Sequence, residues 1–293
     1  MKKIYLMING IPGKVALTIA AHTINDDRFT LVPFSLTGPD IEEEEHTVDG
    51  HRIRLIRPEE RNDLIKEICR QYPGFISIDY THPTAVNDNA RFYVKNKLAF
   101  VMGTTGGDRA ALMDTVRSGS VPALIAPNMA KQIVGFQAMM EYAGKTFPGL
   151  FKGYTLTVEE SHQNGKADTS GTARVMVGCF NDLGIPFSDG EIEMVRDPGI
   201  QRDVWKIPEE HLTGHAWHTY TLTSKDGSAS FQFKHNINGR EIYIQGTLDG
   251  ALFLNDRLND LADNNQTDKT QSHKTPARIY TMIDVLRTAD GIS

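Results

Sequence analysis

The sequence predicts an α/β chain in two parts, an N-terminal βα alternation followed by an α+β part. Three observations carry that expectation. Apolar runs of strand length alternate with helical periodicity through the first 130 residues, and a glycine turn stands between the first run and the first helix. Beyond Gln132 a long helical pattern is followed by strand-like runs joined by Asp-Gly and Asn-Gly dipeptides, which are hairpin signals. The boundary falls near residue 130, giving a first domain of residues 1–130 with 248–293 and a second of 131–247.

Residues 4–8 form the first strand, and Gly10-Ile11-Pro12-Gly13-Lys14-Val15-Ala16 follows at once, leading into a helix over 15–22. The G-x-x-G-x-x-A spacing lets the backbone turn tightly and approach a pyrophosphate seated on the helix N-terminus. A tight strand–helix turn without a ligand accounts for the same residues equally well, so both readings stand. The second strand, 29–35, runs into Leu36-Thr37-Gly38, with no acid before Asp40. An NAD-preferring fold places an acid there. Without one a 2′-phosphate is not repelled, and Lys14 in the glycine loop attracts it. NADPH is therefore expected ahead of NADH.

The acidic run from Glu42 to Glu45 reads as a solvated loop. Helices are expected over 58–70, with Leu64, Ile65, Ile68 and Cys69 on one face, and over 85–96. Strands over 75–78, 98–102 and 123–126 end in Asp79-Tyr80-Thr81-His82-Pro83, in Gly103-Thr104-Thr105-Gly106, and in Pro127-Asn128-Met129. In an open parallel sheet the loops after the carboxyl ends of the strands line the ligand crevice. That places His82, Gly103, Thr104, Thr105 and Asn128 near a cofactor.

A helix over 132–145 turns Phe136, Met139, Met140 and Ala143 toward the core, and Pro148-Gly149 ends it. A strand over 154–158 gives way to a polar loop and then to a helix from Ala173. Three more strands, 216–223, 228–235 and 241–247, are joined at Asp226-Gly227 and Asn238-Gly239. Residues 255–277 are polar and low in complexity, a mobile loop or frayed helix end, and 278–287 packs back on the first domain.

The polar loop, residues 159–173, gathers His162, Lys166, Asp168 and the run Ser170-Gly171-Thr172. Ser170 or Thr169 can cap the following helix, whose first N–H groups then offer an anion site. With Lys166 and His162 beside it, the loop suits a carboxylate or phosphate held next to an acid–base group. An ordinary polar surface loop would need a cap alone. Lys131 and Arg240 are weaker candidates for a second anion site.

Composition narrows the classes further. A net charge of −6 over 293 residues argues against a nucleic-acid partner, whose binding domain is normally basic. No apolar run approaches the ~18 residues of a membrane span. Lys2-Lys3 followed by a short apolar run is broken by Asn9-Gly10 and Pro12, unlike a signal peptide, and the chain reads as cytoplasmic. Cys69 and Cys179 each lie in an apolar helical pattern without a metal-ligand spacing, as buried structural thiols do.

The motif Glu160-Ser161-His162-Gln163-Asn164-Gly165-Lys166-Ala167-Asp168-Thr169-Ser170-Gly171-Thr172-Ala173 resembles the signature of the 4-hydroxy-tetrahydrodipicolinate (dihydrodipicolinate) reductase family. The likeness extends to the Gly10 loop, to Asp79-Tyr80-Thr81-His82-Pro83, to Met102-Gly103-Thr104-Thr105-Gly106, to Ala126-Pro127-Asn128, to His215 and to the closing stretch at Tyr280. The common bacterial form has a second histidine where Gln163 stands, and a proline and one more residue before Ser-Gly-Thr. Lacking that residue, the chain resembles the plant-type branch.

The resemblance implies a Rossmann-like dinucleotide-binding domain, to which the C-terminus returns, and a substrate domain with a mixed sheet that also builds a homo-oligomer, a dimer or tetramer. It implies NAD(P)H-dependent reduction of a cyclic dicarboxylate in diaminopimelate and lysine biosynthesis. Carried over by residue, His162 is the acid–base group and Lys166 the proton donor or carboxylate anchor, with Gln163, Ser170, Gly171 and Thr172 on the substrate. Gly10, Ile11, Pro12, Gly13, Lys14, Val15, Asp79, Thr81, His82, Gly103, Thr104, Thr105, Ala126, Pro127 and Asn128 fall to the cofactor, and no metal is implied.

Two other classes compete. A dinucleotide-binding sensor on the same fold has no need of a proton donor, so His162 and Lys166 together weigh against it. A semialdehyde dehydrogenase needs a nucleophilic cysteine after a strand, and neither Cys69 nor Cys179 stands there.

Overall fold

The computed structural model describes residues 3–267 and 278–288. The chain divides into two compact units, residues 1–131 with 243–293, and residues 132–242.

In the first unit, β1 (Ile4–Asn9) and α1 (Lys14–Ile24) open the βα alternation. There follow β2 (Phe29–Leu31), β3 (Phe34–Leu36), β4 (Glu45–Val48), β5 (His51–Ile56) and α2 (Arg61–Gln71). Next come β6 (Ile76–Asp79), α3 (Val86–Lys95), β7 (Phe100–Met102), α4 (Arg109–Arg117) and β8 (Ala123–Ile125).

The second unit holds α5 (Lys131–Thr146), which begins at its boundary, then β9 (Thr155–His162), α6 (Gly171–Asp182), β10 (Glu193–Val195), α7 (Pro198–Asp203), β11 (His215–Thr223) and β12 (Ser230–Asn238). The helix α8 (Glu241–Thr267), β13 (Ile279–Tyr280) and α9 (Met282–Thr288) complete the chain.

The main sheet of the first unit runs β13-β8-β7-β6-β1-β2, parallel throughout, which confirms the Rossmann-like expectation. Its inner strands β6, β7 and β8 are short and buried along their whole length, without alternation, as in a sheet whose two faces are covered by helices. The expected second strand is broken at Val32-Pro33 into β2 and β3, since proline supplies no N–H to a ladder. β3 pairs with β5, and β4 closes against β5 as a hairpin, so the acidic run ends inside a small sheet.

The second unit has a four-stranded mixed sheet, β10-β9-β11-β12, with β10 parallel to β9 and the other pairs antiparallel. One face of it packs Leu156, Val158, Tyr220 and Leu222 against Met140, Met176, Val177 and Phe180 of α5 and α6.

Three expectations are corrected. Residues 241–247 open α8 rather than forming a strand: Ile244, Thr247, Leu248 and Ala251 are buried at helical spacing. Gly246 allows that packing, since a Cβ there would lie 1.7 Å from the Met129 carbonyl oxygen. Met139 is not core but 65% exposed, while Met140 is buried and Phe136 and Ala143 pack against the same core as expected. The polar stretch from Asn255 is helical to Thr267, and residues 268–277 lie outside the described residues.

Candidate active site

In the first unit, loops leave the carboxyl ends of the neighbouring strands β1, β6, β7 and β8. Gly10 has φ +105°, and a Cβ there would stand 2.2 Å from the Tyr80 carbonyl oxygen, so only glycine lets the first two loops touch. Gly103 and Thr104 donate their N–H groups to the Asp79 carbonyl at 3.0 and 3.2 Å, and Ala126 donates to Met102 at 3.2 Å. Gly13 is the N-cap of α1 and has no side chain to occupy the N–H groups of the first turn. They stay open to an anion.

A cavity of about 780 Å³ lies against the loops after β1 and β6. Of the sequence-derived cofactor residues, Gly10, Pro12, Gly13, Thr81 and His82 line it. Ile11, Lys14, Val15, Asp79, Gly103, Thr104, Thr105, Ala126, Pro127 and Asn128 do not. Lys14 and Thr105 are exposed, Ile11 and Thr104 are buried, and the Asn128 side chain accepts from the N–H of Ala130 at 2.9 Å. Among the described residues, the lining's one lysine or arginine is Arg61, which sequence reasoning missed. It donates to Asn89 at 3.0 Å and stacks 4.7 Å over the Phe92 ring. The available signal was a cation opening a helix, where the macrodipole disfavours it.

Asp79 acts beneath the lining. Fully buried, its carboxylate accepts from the Thr81 N–H and hydroxyl (3.1 and 2.8 Å), the Thr104 hydroxyl (2.8 Å), the Asn89 amide (3.0 Å) and the Tyr93 hydroxyl (2.7 Å). Burial first, and then the facing Asp79 charge, push the Tyr93 phenol well above its ordinary range, so it stays a donor.

In the second unit, β9 runs four residues past the expected strand end and delivers Glu160 and His162 on the same face as Leu156 and Val158. The loop then closes on α6. Ser170 is the N-cap, its hydroxyl accepting from the Thr172 N–H at 3.1 Å, while Gly171 is exposed in the first turn. The Lys166 ammonium reaches the Asp168 carboxylate and carbonyl, both at 2.7 Å, and the half-buried Gln163 lends its carbonyl to the Lys166 N–H at 3.0 Å. Lys131 instead pairs with Asp249 at 2.5 Å in the first unit, and Arg240 is exposed in the turn before α8.

Beneath the loop, Glu160 is fully buried and pairs with Arg196 at 2.5 Å, while its second oxygen accepts from the Ser170 N–H at 3.0 Å. The His162 carbonyl is held by the Gln201 amide at 2.7 Å. Across the sheet stands a row of imidazoles, with His162 and His218 edge to face at 5.1 Å and His218 stacked on His235 at 4.6 Å. Among the described residues, the Nε2 of His162 and both ring nitrogens of His218 and of His235 lack a hydrogen-bond partner. Burial, reinforced by the Arg196 and Lys166 charges, lowers His162 to about 4, and burial alone lowers His235 to about 4. His218 is pushed well below its ordinary value by burial and then by its histidine neighbours.

Glu160, His162 and His218 bring a carboxylate oxygen and two ring nitrogens within 4.8 Å, a donor set that suits a transition metal. Arg196 already holds the carboxylate, however, and the field of Arg196 and Lys166 at His162 opposes a dication. The cluster is better suited to an anion and a proton. Cys69 and Cys179 sit inside α2 and α6, and burial raises both thiols, which leaves no activated sulfur nucleophile at either position.

Family comparisons cover nearly the whole chain. Residues 4–129 match the family model described as dihydrodipicolinate reductase, N-terminus, and residues 133–286 the one described as dihydrodipicolinate reductase, C-terminus. The chain is 43% identical over 286 residues to 4-hydroxy-tetrahydrodipicolinate reductase 2, chloroplastic, of Arabidopsis thaliana, covering 97% of this chain and 77% of that protein. It is 31% identical over 187 residues to the 4-hydroxy-tetrahydrodipicolinate reductase of Thermobifida fusca, covering 60% of this chain and 73% of the relative. Among solved structures, the dipicolinate-bound dihydrodipicolinate reductase from Paenisporosarcina sp. TG-14 has a TM-score of 0.59 at 20% identity, covering 86% of this chain and 95% of that one.

Proposed function

The chain belongs to the dihydrodipicolinate reductase family, in its plant-type branch, and on that premise we infer how its residues divide the reaction. It is an NAD(P)H-dependent oxidoreductase that reduces 4-hydroxy-tetrahydrodipicolinate to tetrahydrodipicolinate in diaminopimelate and lysine biosynthesis. Of the two units, residues 1–131 with 243–293 take the dinucleotide and residues 132–242 the substrate.

A reduced nicotinamide supplies the hydride when bound. The glycine at position 10, the uncapped first turn of α1 and the cavity beside them fit the pyrophosphate of such a group. Arg61 rather than the exposed Lys14 is the cation on that cavity, and it favours NADPH by pairing with a 2′-phosphate.

The observation that carries the substrate side is the closed loop of residues 163–170, in which Lys166 is near enough for its charge to act on His162 and the cap of α6 is tied to Glu160. A substrate carboxylate takes the α6 turn, with Ser170, Gly171 and Thr172, and exchanges with Asp168 for the Lys166 ammonium; Gln163 donates a further hydrogen bond. His162 is neutral at neutral pH in the free protein. An arriving anion favours its charged form, so His162 takes up a proton only when substrate is bound, and Lys166 arrives with one. Either supplies the proton that the electron pair displaced by the hydride requires.

Exposed Met139, Tyr142, Phe147 and Leu150 give the second unit an apolar surface that a second copy of the chain covers in a homo-oligomer. Among the described residues, no helix is long and apolar enough to cross a membrane.

The deciding experiment supplies the product of the preceding synthase and follows NADPH and NADH oxidation at matched concentrations. Oxidation of neither cofactor would overturn the reductase assignment; a higher kcat/KM with NADH would overturn the cofactor preference.

A further inference from the structure

Arg196 lies outside the recognised loop motif, between β10 and α7, yet apart from one bond to its neighbour Val195 its hydrogen bonds go to that loop or to the strand leading into it. Its Nε donates to the Lys166 carbonyl at 2.8 Å, and Nη1 donates to the carbonyls of Glu160 and Val195, both at 3.2 Å. Nη2 donates to the Glu160 carboxylate at 2.5 Å and to the Asp168 carbonyl at 3.4 Å. These bonds account for the fork's donors, so the guanidinium has none left for a ligand. Its side chain is only 15% exposed, and its partner carboxylate not at all.

The same carboxylate accepts the N–H of Ser170, the cap of α6. One ion pair therefore ties down residues 166, 168 and 170. In a trans peptide the carbonyl and the next N–H point opposite ways. Drawing the Lys166 and Asp168 carbonyls toward Arg196 turns the N–H groups of Ala167 and Thr169 to the other side. Lysine, with one ammonium on a flexible stem, could pair with Glu160 but could not hold both carbonyls in one plane.

We propose that Arg196 is a positioning residue for the reaction. With Glu160 it fixes the peptide planes of residues 166–170, so that Lys166 and the start of α6 form one pre-set carboxylate site. The proposal rests on the substrate side of the proposed function, and it concerns affinity for a dicarboxylate rather than folding.

The test uses the full chain with Arg196→Lys, which retains the charge pair. Four quantities are measured: thermal midpoint, NADPH Kd, the kcat and KM of the coupled reaction, and the Kd of pyridine-2,6-dicarboxylate by calorimetry. Near-wild-type midpoint and NADPH Kd are expected, with dicarboxylate Kd weakened ~10-fold and kcat/KM reduced ~10–100-fold, the scale of a site displaced by about 1 Å. A folded variant with unchanged dicarboxylate Kd and kcat/KM overturns the proposal, and so does NADPH affinity falling in step with the dicarboxylate. Should Arg196→Lys not fold, Glu160→Gln, which keeps an acceptor for Ser170, is held to the same criteria. A wild-type chain that binds the dicarboxylate but turns nothing over defeats the reductase reading and leaves the calorimetry to decide this one; a wild type that binds no dicarboxylate overturns it.

Discussion

The Tyr93 hydroxyl donates a 2.7 Å hydrogen bond to the Asp79 carboxylate, and through that carboxylate α3 is joined to the loops after β6 and β7. Asp79 thus organises the cofactor side from beneath. Asp79→Asn puts a donor where only donors point, and is expected to destabilise the chain by about 2–4 kcal/mol. Denaturant melts check this. A variant of wild-type stability that had lost only cofactor affinity would instead make Asp79 a direct ligand.

Lys166→Ala removes the ammonium that meets the Asp168 carboxylate and backbone carbonyl. A fall in kcat of about 100-fold or more is expected, with the NADPH Kd within twofold of wild type. Steady-state kinetics beside fluorescence titration separates the two, and unchanged turnover would remove Lys166 from the mechanism.

Arg61→Ala removes the one guanidinium on the cavity. NADPH affinity should weaken about tenfold, the value of one charge-assisted phosphate contact, while NADH affinity barely moves. Equal losses for both cofactors would place Arg61 against a part that they share.

The buried imidazoles make the chain acid-sensitive. An unfolded histidine titrates near 6.5, whereas folded His235 resists protonation until about 4. Between those values the unfolded chain binds a proton that the folded chain refuses, so the contribution of His235 to stability falls as pH falls and levels off below about 4. His235→Leu, packed against Phe136, should leave the melting temperature at pH 7 unchanged or raised and make the loss on acidification smaller. Melting curves from pH 7 to 4 test it; equal acid slopes in both proteins would refute the assignment.

The parallel sheet, the glycine turn and the Ser170 cap were legible because each rests on a local pattern. What failed locally was decided by neighbours. Asp49-Gly50 has positive φ at both residues, 46° and 80°, and makes the tight β4–β5 hairpin that the acidic run beside it concealed. Asn238-Gly239 has a positive φ only at glycine, 71°, as the hairpin turn Asp226-Gly227 does, yet β12 runs on into a helix because Ile244, Thr247, Leu248 and Ala251 bury at helical spacing. β9 was cut short because Glu160 and His162 look like surface residues. Glu160 is buried only because Arg196 and the Ser170 N–H, far apart in sequence, answer it. Arg61 and His218 carried no motif, and their places depend on the cavity and the cross-strand pairing with Glu160 and His235.

The loop above β9 is held at both ends, by Gln201 on the His162 carbonyl and by Glu160 on the Ser170 N–H. Such a loop can change length without moving its endpoints. A one-residue insertion after Asp168 would leave His162 and α6 in register but break the run of residues 166–170 that Arg196 and Glu160 hold. For a designer, the span between those posts is where substrate preference can be rewritten while the sheet beneath stays as it is.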